Sequence, residues 1–237
     1  MGLGIVRRRR LALPEGVTRP PGLRFWQDPL ADRIAMRVFR WIAGGRPLQP
    51  WWLPRWWFTV VAADVDDARG VAALWLVRRP GSARRAVSFQ QLLERRADGT
   101  WRWVGGGSVR PVDPLPSAAR RLAAGEPGHL GMAEVYAGAG TRSMAYRLEH
   151  GRELVGQAPW IGCTALQVAA EVAFVGLGGR RILVPDTGTM IVVWQVPPPV
   201  GLPGQPPLTL ASADGTVLST TSPLHGVDSY TLSQLPD

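Results

Sequence analysis

The chain contains no lysine, no asparagine and a single cysteine, with three histidines and three tyrosines among its 237 residues. One thiol, Cys163, excludes an internal disulfide framework and a cysteine-rich zinc site. His129, His150 and His225 are scattered without the spacing of metal ligands. No apolar run approaches the roughly 18–20 residues that a spanning helix needs, so no transmembrane segment is expected. The basic run Arg7, Arg8, Arg9, Arg10 is not followed by an apolar stretch of the kind a secretory signal carries, which predicts a cytoplasmic protein. Walker and dinucleotide patterns are absent as well. Gly105-Gly106-Gly107-Ser108 has no lysine after it, and Pro111 opposes an immediate helix. It reads as a loop leaving a strand, and no cofactor is expected.

What is present is charge of one sign in one place. All 27 basic residues are arginine. A GC-rich coding sequence accounts for arginine in place of lysine, but not for where the arginines lie. Residues 1–121 hold 22 arginines against 9 acidic residues, whereas residues 122–237 hold 5 against 9. A basic half joined to a mildly acidic half implies two units with different surfaces, the first suited to an anionic partner. With 46% apolar and 19% charged residues the chain should be globular.

Residues 1–27 read as a basic, proline-containing tail. Asp28 and Pro29 then suit the cap and first position of a helix ended by Gly44-Gly45. Leu30, Ile34, Val38 and Ile42 give it one apolar stripe, and Arg33, Arg37 and Arg40 lie on other faces. From Trp56 the pattern turns to strands: Phe58–Ala63, Gly70–Val77, Ala86–Glu94, and Trp101 onward after the Asp98-Gly99 turn. Ser117 would cap a short second helix. Farther on, Met144, Tyr146 and Leu148 alternate as in a strand, as do Met190, Val192, Trp194 and Val196. Thr164 and Gln167 match a capping box, yet Leu166, Val168, Ala170, Val172 and Phe174 alternate, which favours a strand. Gly178-Gly179, Asp186–Gly188 and Asp214-Gly215 mark turns, and 197–207 is a proline-rich connection. The expected fold is β-rich: an α+β unit over 28–124, one amphipathic helix on an antiparallel sheet, followed by a β-sandwich over 125–237.

Candidate chemistry is sparse. Asp186-Thr187-Gly188-Thr189 resembles the Asp-Thr-Gly signature of aspartic proteases, over these residues alone. The resemblance implies a pair of carboxylates sharing one proton, hence a homodimer for a motif present once. The competing reading is a hairpin with a type I turn and a left-handed glycine. Cys163 would be a nucleophile only if a histidine reached it; its apolar neighbours favour a buried small hydrophobe. Trp51-Trp52-Leu53-Pro54-Arg55-Trp56-Trp57 suits a partner hot spot or a membrane interface, although the weightier expectation is core beneath the helix. Arg7 to Arg10, Arg33, Arg37, Arg40 and Arg55, with Trp51 and Trp52, are therefore the candidate partner-binding residues. They favour a non-enzymatic interaction or structural protein, one component of a larger assembly, which binds protein partners through its basic half. The alternatives are an accessory factor for nucleic acid or an anionic membrane surface, and a hydrolase using Asp186 or Cys163.

Overall fold

Apolar residues at helical spacing fold as α1 (Pro29–Ala43) in the computed structural model, which describes residues 29–82, 84–109, 121–124, 132–151, 156–198 and 206–221. Ala31, Ile34, Ala35, Val38 and Phe39 form its buried face, while Leu30 lies off the stripe and is exposed. Gly45 ends the helix: its N–H donates to the Ile42 carbonyl at 2.9 Å, with φ at 73°. Asp28 and Ser117, the two expected caps, lie outside the described residues, as do Arg7 to Arg10, His129, His225 and residues 199–205 of the proline-rich connection.

The chain continues through β1 (Phe58–Asp66), β2 (Val71–Arg78), β3 (Val87–Arg95) and β4 (Trp101–Val109), an antiparallel meander in the order β1-β2-β3-β4. Residues 71–77 are buried throughout, because this sheet is covered on both faces. Phe58, Val60, Leu74, Leu76, Phe89 and Leu93 pack beneath α1. Ala62, Val71, Ala73, Trp75, Val77 and Leu92 face the other way.

There follow β5 (Ala133–Arg142), α2 (Met144–His150), β6 (Trp160–Val168), β7 (Phe174–Leu177), β8 (Arg180–Leu183), β9 (Thr189–Val196), β10 (Leu208–Ala211) and β11 (Val217–Thr221). They build a middle sheet, β5-β6-β9, and an outer sheet, β11-β10-β7-β8. Every described strand pair is antiparallel, and the fold is β-rich. Ala139, Ile161, Cys163, Ala165, Ile191 and Val193 of the middle sheet share a core with the far face of the first sheet. Many of the facing side chains are small, Ala62, Ala73, Ala139, Cys163 and Ala165 among them, and the two sheets meet at both edges, β1 beside β9 and β4 beside β5. Segments 28–124 and 125–237 thus contribute to one core. A separate core, with Leu166, Val192 and Trp194 opposite Val175, Leu177, Leu208 and Leu210, joins the middle and outer sheets. The layers run α1, first sheet, middle sheet, outer sheet.

Four local expectations are corrected. The alternation from Leu166 to Phe174 is not one strand: β6 ends at Val168, the Val172 N–H closes a turn on the Ala169 carbonyl at 3.1 Å, and β7 starts at Phe174 in another sheet. Met144–Leu148 is helix, not strand. Ser143 caps it by accepting the Tyr146 N–H at 3.1 Å, and Glu94 of β3 accepts the Met144 and Ala145 N–H groups at 3.0 and 2.8 Å. Three otherwise unpaired donors of the first turn are thereby satisfied, partly from fifty residues away. Gly105-Gly106-Gly107 lies within β4 rather than in a loop after it. A Cβ on Gly105 would press Thr141 of β5, and one on Gly106 would overlap the Gln90 carbonyl of β3. Pro185–Gly188 is a turn, closed by the Gly188 N–H on the Pro185 carbonyl at 2.8 Å with Gly188 at φ 68°. It connects β8 to β9 in different sheets and so is not a hairpin. Hairpin turns lie at Asp98-Gly99, with Gly99 at φ 79°, at Gly178-Gly179, with φ of 54° and 84°, and at Gly215.

A buried polar cluster ties the three sheets together. The Asp64 carboxylate accepts from Arg180 of β8 at 2.6 Å and from the Val193 N–H of β9 at 2.8 Å. Arg180 also donates to the carbonyls of Val193 and Val65 at 3.0 and 3.1 Å. Beside it, burial pushes the Asp66 carboxyl up. Hydrogen bonds from Arg69 and the charges of Arg180 and Arg69 outweigh this and hold it below its ordinary 3.8.

Asp64→Ala leaves Arg180 and the Val193 N–H without their buried acceptor, and should cost about 3–5 kcal/mol in urea unfolding. Because Asp66 is more acidic folded than unfolded, its ionised form favours the fold. That contribution is full above the unfolded value near 3.8 and is lost as pH falls through the lower folded value. Asp66→Asn should therefore flatten the acid limb of stability against pH, as measured by urea midpoints across that range.

Candidate functional site

The arginines of α1 are exposed because the helix spends its apolar stripe on the first sheet, leaving Arg33, Arg37 and Arg40 on the solvent side. The loop from Gly44 to Trp57 then folds back past the helix end. Trp41 Nε1 donates to the Pro47 carbonyl at 2.8 Å. Gln49 holds the loop to the start of β1, donating to Leu53 and Phe58 carbonyls at 2.7 and 3.2 Å and accepting the Val60 N–H at 2.9 Å. Leu53 is buried, and its N–H closes a turn on the Pro50 carbonyl at 3.1 Å. The loop is braced at both ends and in its middle.

Bracing sets the four loop tryptophans apart. Trp52 and Trp57 are partly buried against the core beneath α1, as expected of the segment. Trp51 and Trp56 are not core: they are 83% and 76% exposed, which corrects that expectation. Prolines 50 and 54 turn the backbone so that alternate rings point outward. The Arg37 guanidinium lies 4.2 Å from the centre of the Trp52 ring, and that of Arg46 lies 4.5 Å from the Trp41 ring.

Arg37, Arg40, Trp41, Gly44, Arg46, Trp51 and Trp52 line one open cavity of about 440 Å³. Among the described residues no acidic side chain lines it. Of the sequence candidates, the structure brings together Arg37, Arg40, Trp51 and Trp52. It does not bring Arg33 or Arg55 into this cavity. Arg33 sits one turn earlier on the helix. Arg55 lines a neighbouring hollow of about 650 Å³, between β1 and the β8–β9 region, whose walls are mostly apolar. Trp41 and Arg46 were missed in the sequence. The spacing of Trp41, four residues after Arg37, was legible; the return of Arg46 depends on the Gly44-Gly45 reversal.

The candidate nucleophiles are placed elsewhere. Cys163 is fully buried between the first and middle sheets, where burial pushes its thiol up to about 12. His150 is exposed on α2, stacked on Tyr146 at 4.1 Å. Asp186 is exposed on the turn before Gly188. A Cβ at Gly188 would meet the Val168 carbonyl and the Arg121 side chain, so packing and a left-handed backbone both require glycine there. Among the described residues no three His, Cys, Asp or Glu side chains converge as metal ligands. No described helix is long and apolar enough to cross a membrane.

Comparison of the chain with protein-family models, characterised proteins and solved structures yields no match.

The Cys163 thiol should resist aromatic disulfide reagents at neutral pH in the native protein and react fully after unfolding. Rapid native labelling would contradict its placement between the sheets.

Proposed function

We propose that the protein is a non-enzymatic interaction protein, a component of a larger assembly, that binds an anionic partner through the arginine–tryptophan cavity beside α1. The helix-bearing segment 28–124 serves as the binding unit, and 125–237 as the sandwich that supports it. The observation that carries this reading is the convergence of Arg37, Arg40 and Arg46 with Trp51 on one cavity, with no carboxylate among its described lining residues. Arginine and tryptophan dominate binding hot spots because each combines a large contact area with directional polar groups. Here Arg37 and Arg40 stand on α1, and Arg46 and Trp51 on the braced loop that follows it, so little backbone ordering entropy is lost on association.

The hydrolase alternative has less support. A thiol held near 12 between two sheets is neither ionised nor reachable, and Asp186 has glycine-dependent turn geometry as a sufficient reason for its neighbours. The basic tail, Arg7 to Arg10, adds positive charge to the same half of the chain and strengthens capture of an anion at low ionic strength.

Arg37→Gln/Arg40→Gln/Arg46→Gln should lower partner affinity by about tenfold or more, which corresponds to ~1.4 kcal/mol. The measurement is quantitative recovery of partners from host lysate at low and moderate salt, with and without nuclease, by wild type and variant. Identical recovery by both proteins in every condition removes the cavity from the interaction.

A further inference from the structure

We propose that the ligand of this cavity is single-stranded nucleic acid, with one base stacked on Trp51 and the adjoining phosphates held by Arg37, Arg40 and Arg46. The inference rests on the reading that the cavity is the binding site, and it names the occupant.

Four observations lead there. First, the cavity concentrates three guanidinium groups, with no carboxylate among its described lining residues, so it suits more than one negative charge. Second, two of those groups are already oriented. Arg37 and Arg46 each hold their guanidinium over an indole, at 4.2 and 4.5 Å from the ring centres, which fixes the two charges beside the cavity. Third, Trp51 forms part of the cavity lining and is 83% exposed, on a loop whose backbone is fixed by the Pro50–Leu53 turn and by Gln49. A bare indole on a fixed backbone beside a cluster of arginines can serve as a stacking platform; every base has a π-face, so the platform needs no particular sequence. Fourth, the site is concave and about 440 Å³ in volume, of a size to admit a splayed-out nucleotide.

The same features disfavour other anions. An acidic peptide would satisfy the guanidinium groups and leave the Trp51 ring without a planar partner. An anionic bilayer presents a broad surface and has no planar group to enter a hollow lined by arginine. A duplex keeps its bases stacked and offers the cavity only phosphates.

The test uses the full chain, with Arg7 to Arg10 in place, and labelled oligo(dT), duplex DNA of the same length, labelled polyglutamate, and vesicles of phosphatidylcholine with phosphatidylglycerol. Affinities are read by anisotropy or cosedimentation at two salt concentrations, for wild type, Trp51→Ala, Trp51→Phe and Arg37→Gln/Arg40→Gln. Circular dichroism melts establish that each variant folds. The expected result is preference for oligo(dT) over the other three probes. Trp51→Ala should weaken oligo(dT) binding by about 5- to 100-fold, the range for loss of one base–aromatic stack. Trp51→Phe should retain most of the affinity, and Trp51→Ala should leave the weaker polyglutamate binding unchanged. Oligo(dT) binding that ignores Trp51→Ala but falls in the double arginine variant overturns the stacking proposal and leaves the anionic-partner reading standing. Tighter binding of polyglutamate or vesicles than of oligo(dT) overturns it in favour of that class. Binding insensitive to both Trp51→Ala and the double arginine variant, or no binding by the wild type, overturns the proposal; insensitivity to the arginine pair also overturns the reading beneath it.

Discussion

Asp64 accepts a guanidinium hydrogen bond from the outer sheet and a backbone N–H from the middle sheet while standing on the edge strand of the first. The order of the layers depends on this point. Apolar contacts between sheets are non-directional and would tolerate sliding; a carboxylate with two fixed donors would not. Arg180 completes the constraint by returning hydrogen bonds to the carbonyls of Val65 and Val193, so the edges of β1 and β9 are tied without ladder pairing. Glu94 acts similarly at the opposite side, accepting from Arg102 at 2.9 Å and from the first turn of α2. Two buried acids thus add direction to a core whose apolar contacts have none.

Small residues are themselves part of the design of the middle sheet. A Cβ at Gly140 would overlap Trp160, and one at Gly162 would overlap Trp194. Each indole lies across a neighbouring strand where no side chain competes for the space. Trp194 also reaches Thr164 at 3.2 Å, which gives its ring nitrogen an acceptor inside the core. The tryptophans here are spent on packing, whereas Trp51 and Trp56 are withheld from it by prolines and by the Gln49 brace. The same residue type does opposite work according to what the backbone leaves room for.

That contrast marks where the sequence was legible. The α1 stripe, the meander of the first sheet and the strand at Thr189–Val196 follow from apolar spacing, because each buries at least one face against a continuous layer, whereas the alternation from Leu166 to Phe174 runs across the end of β6 and a turn into β7. The α2 helix was not legible: Met144–Leu148 alternates as a strand would, and the decisive acceptor, Glu94, is distant in sequence. The glycine run in β4 read as a loop because its reason is a neighbour on each side, Thr141 and the Gln90 backbone. At the candidate site, arginine and tryptophan enrichment was visible as composition. Which rings face outward was not, since that depends on turns at Pro50 and Pro54 and on Gln49 spanning the loop. The sharpest local string, Asp186-Thr187-Gly188, carries turn geometry, and its glycine is explained by Arg121 and Val168.

The closure of β1 against β9 also orders events during synthesis. Asp64 and Val193 are 129 residues apart, whereas the four strands of the first sheet are joined by short connections. The meander has its local pairings available as soon as β4 leaves the ribosome, and pairings of that kind form early. Its inner face, with Ala73, Trp75 and Leu92, has no cover until β6 and β9 have been made. For that interval the nascent chain holds a nearly finished sheet with one apolar face open, the condition in which partly folded chains associate with one another. Translation speed across the segment between β4 and β9, and whatever chaperone attends it, therefore bears on how much of this protein reaches its folded state.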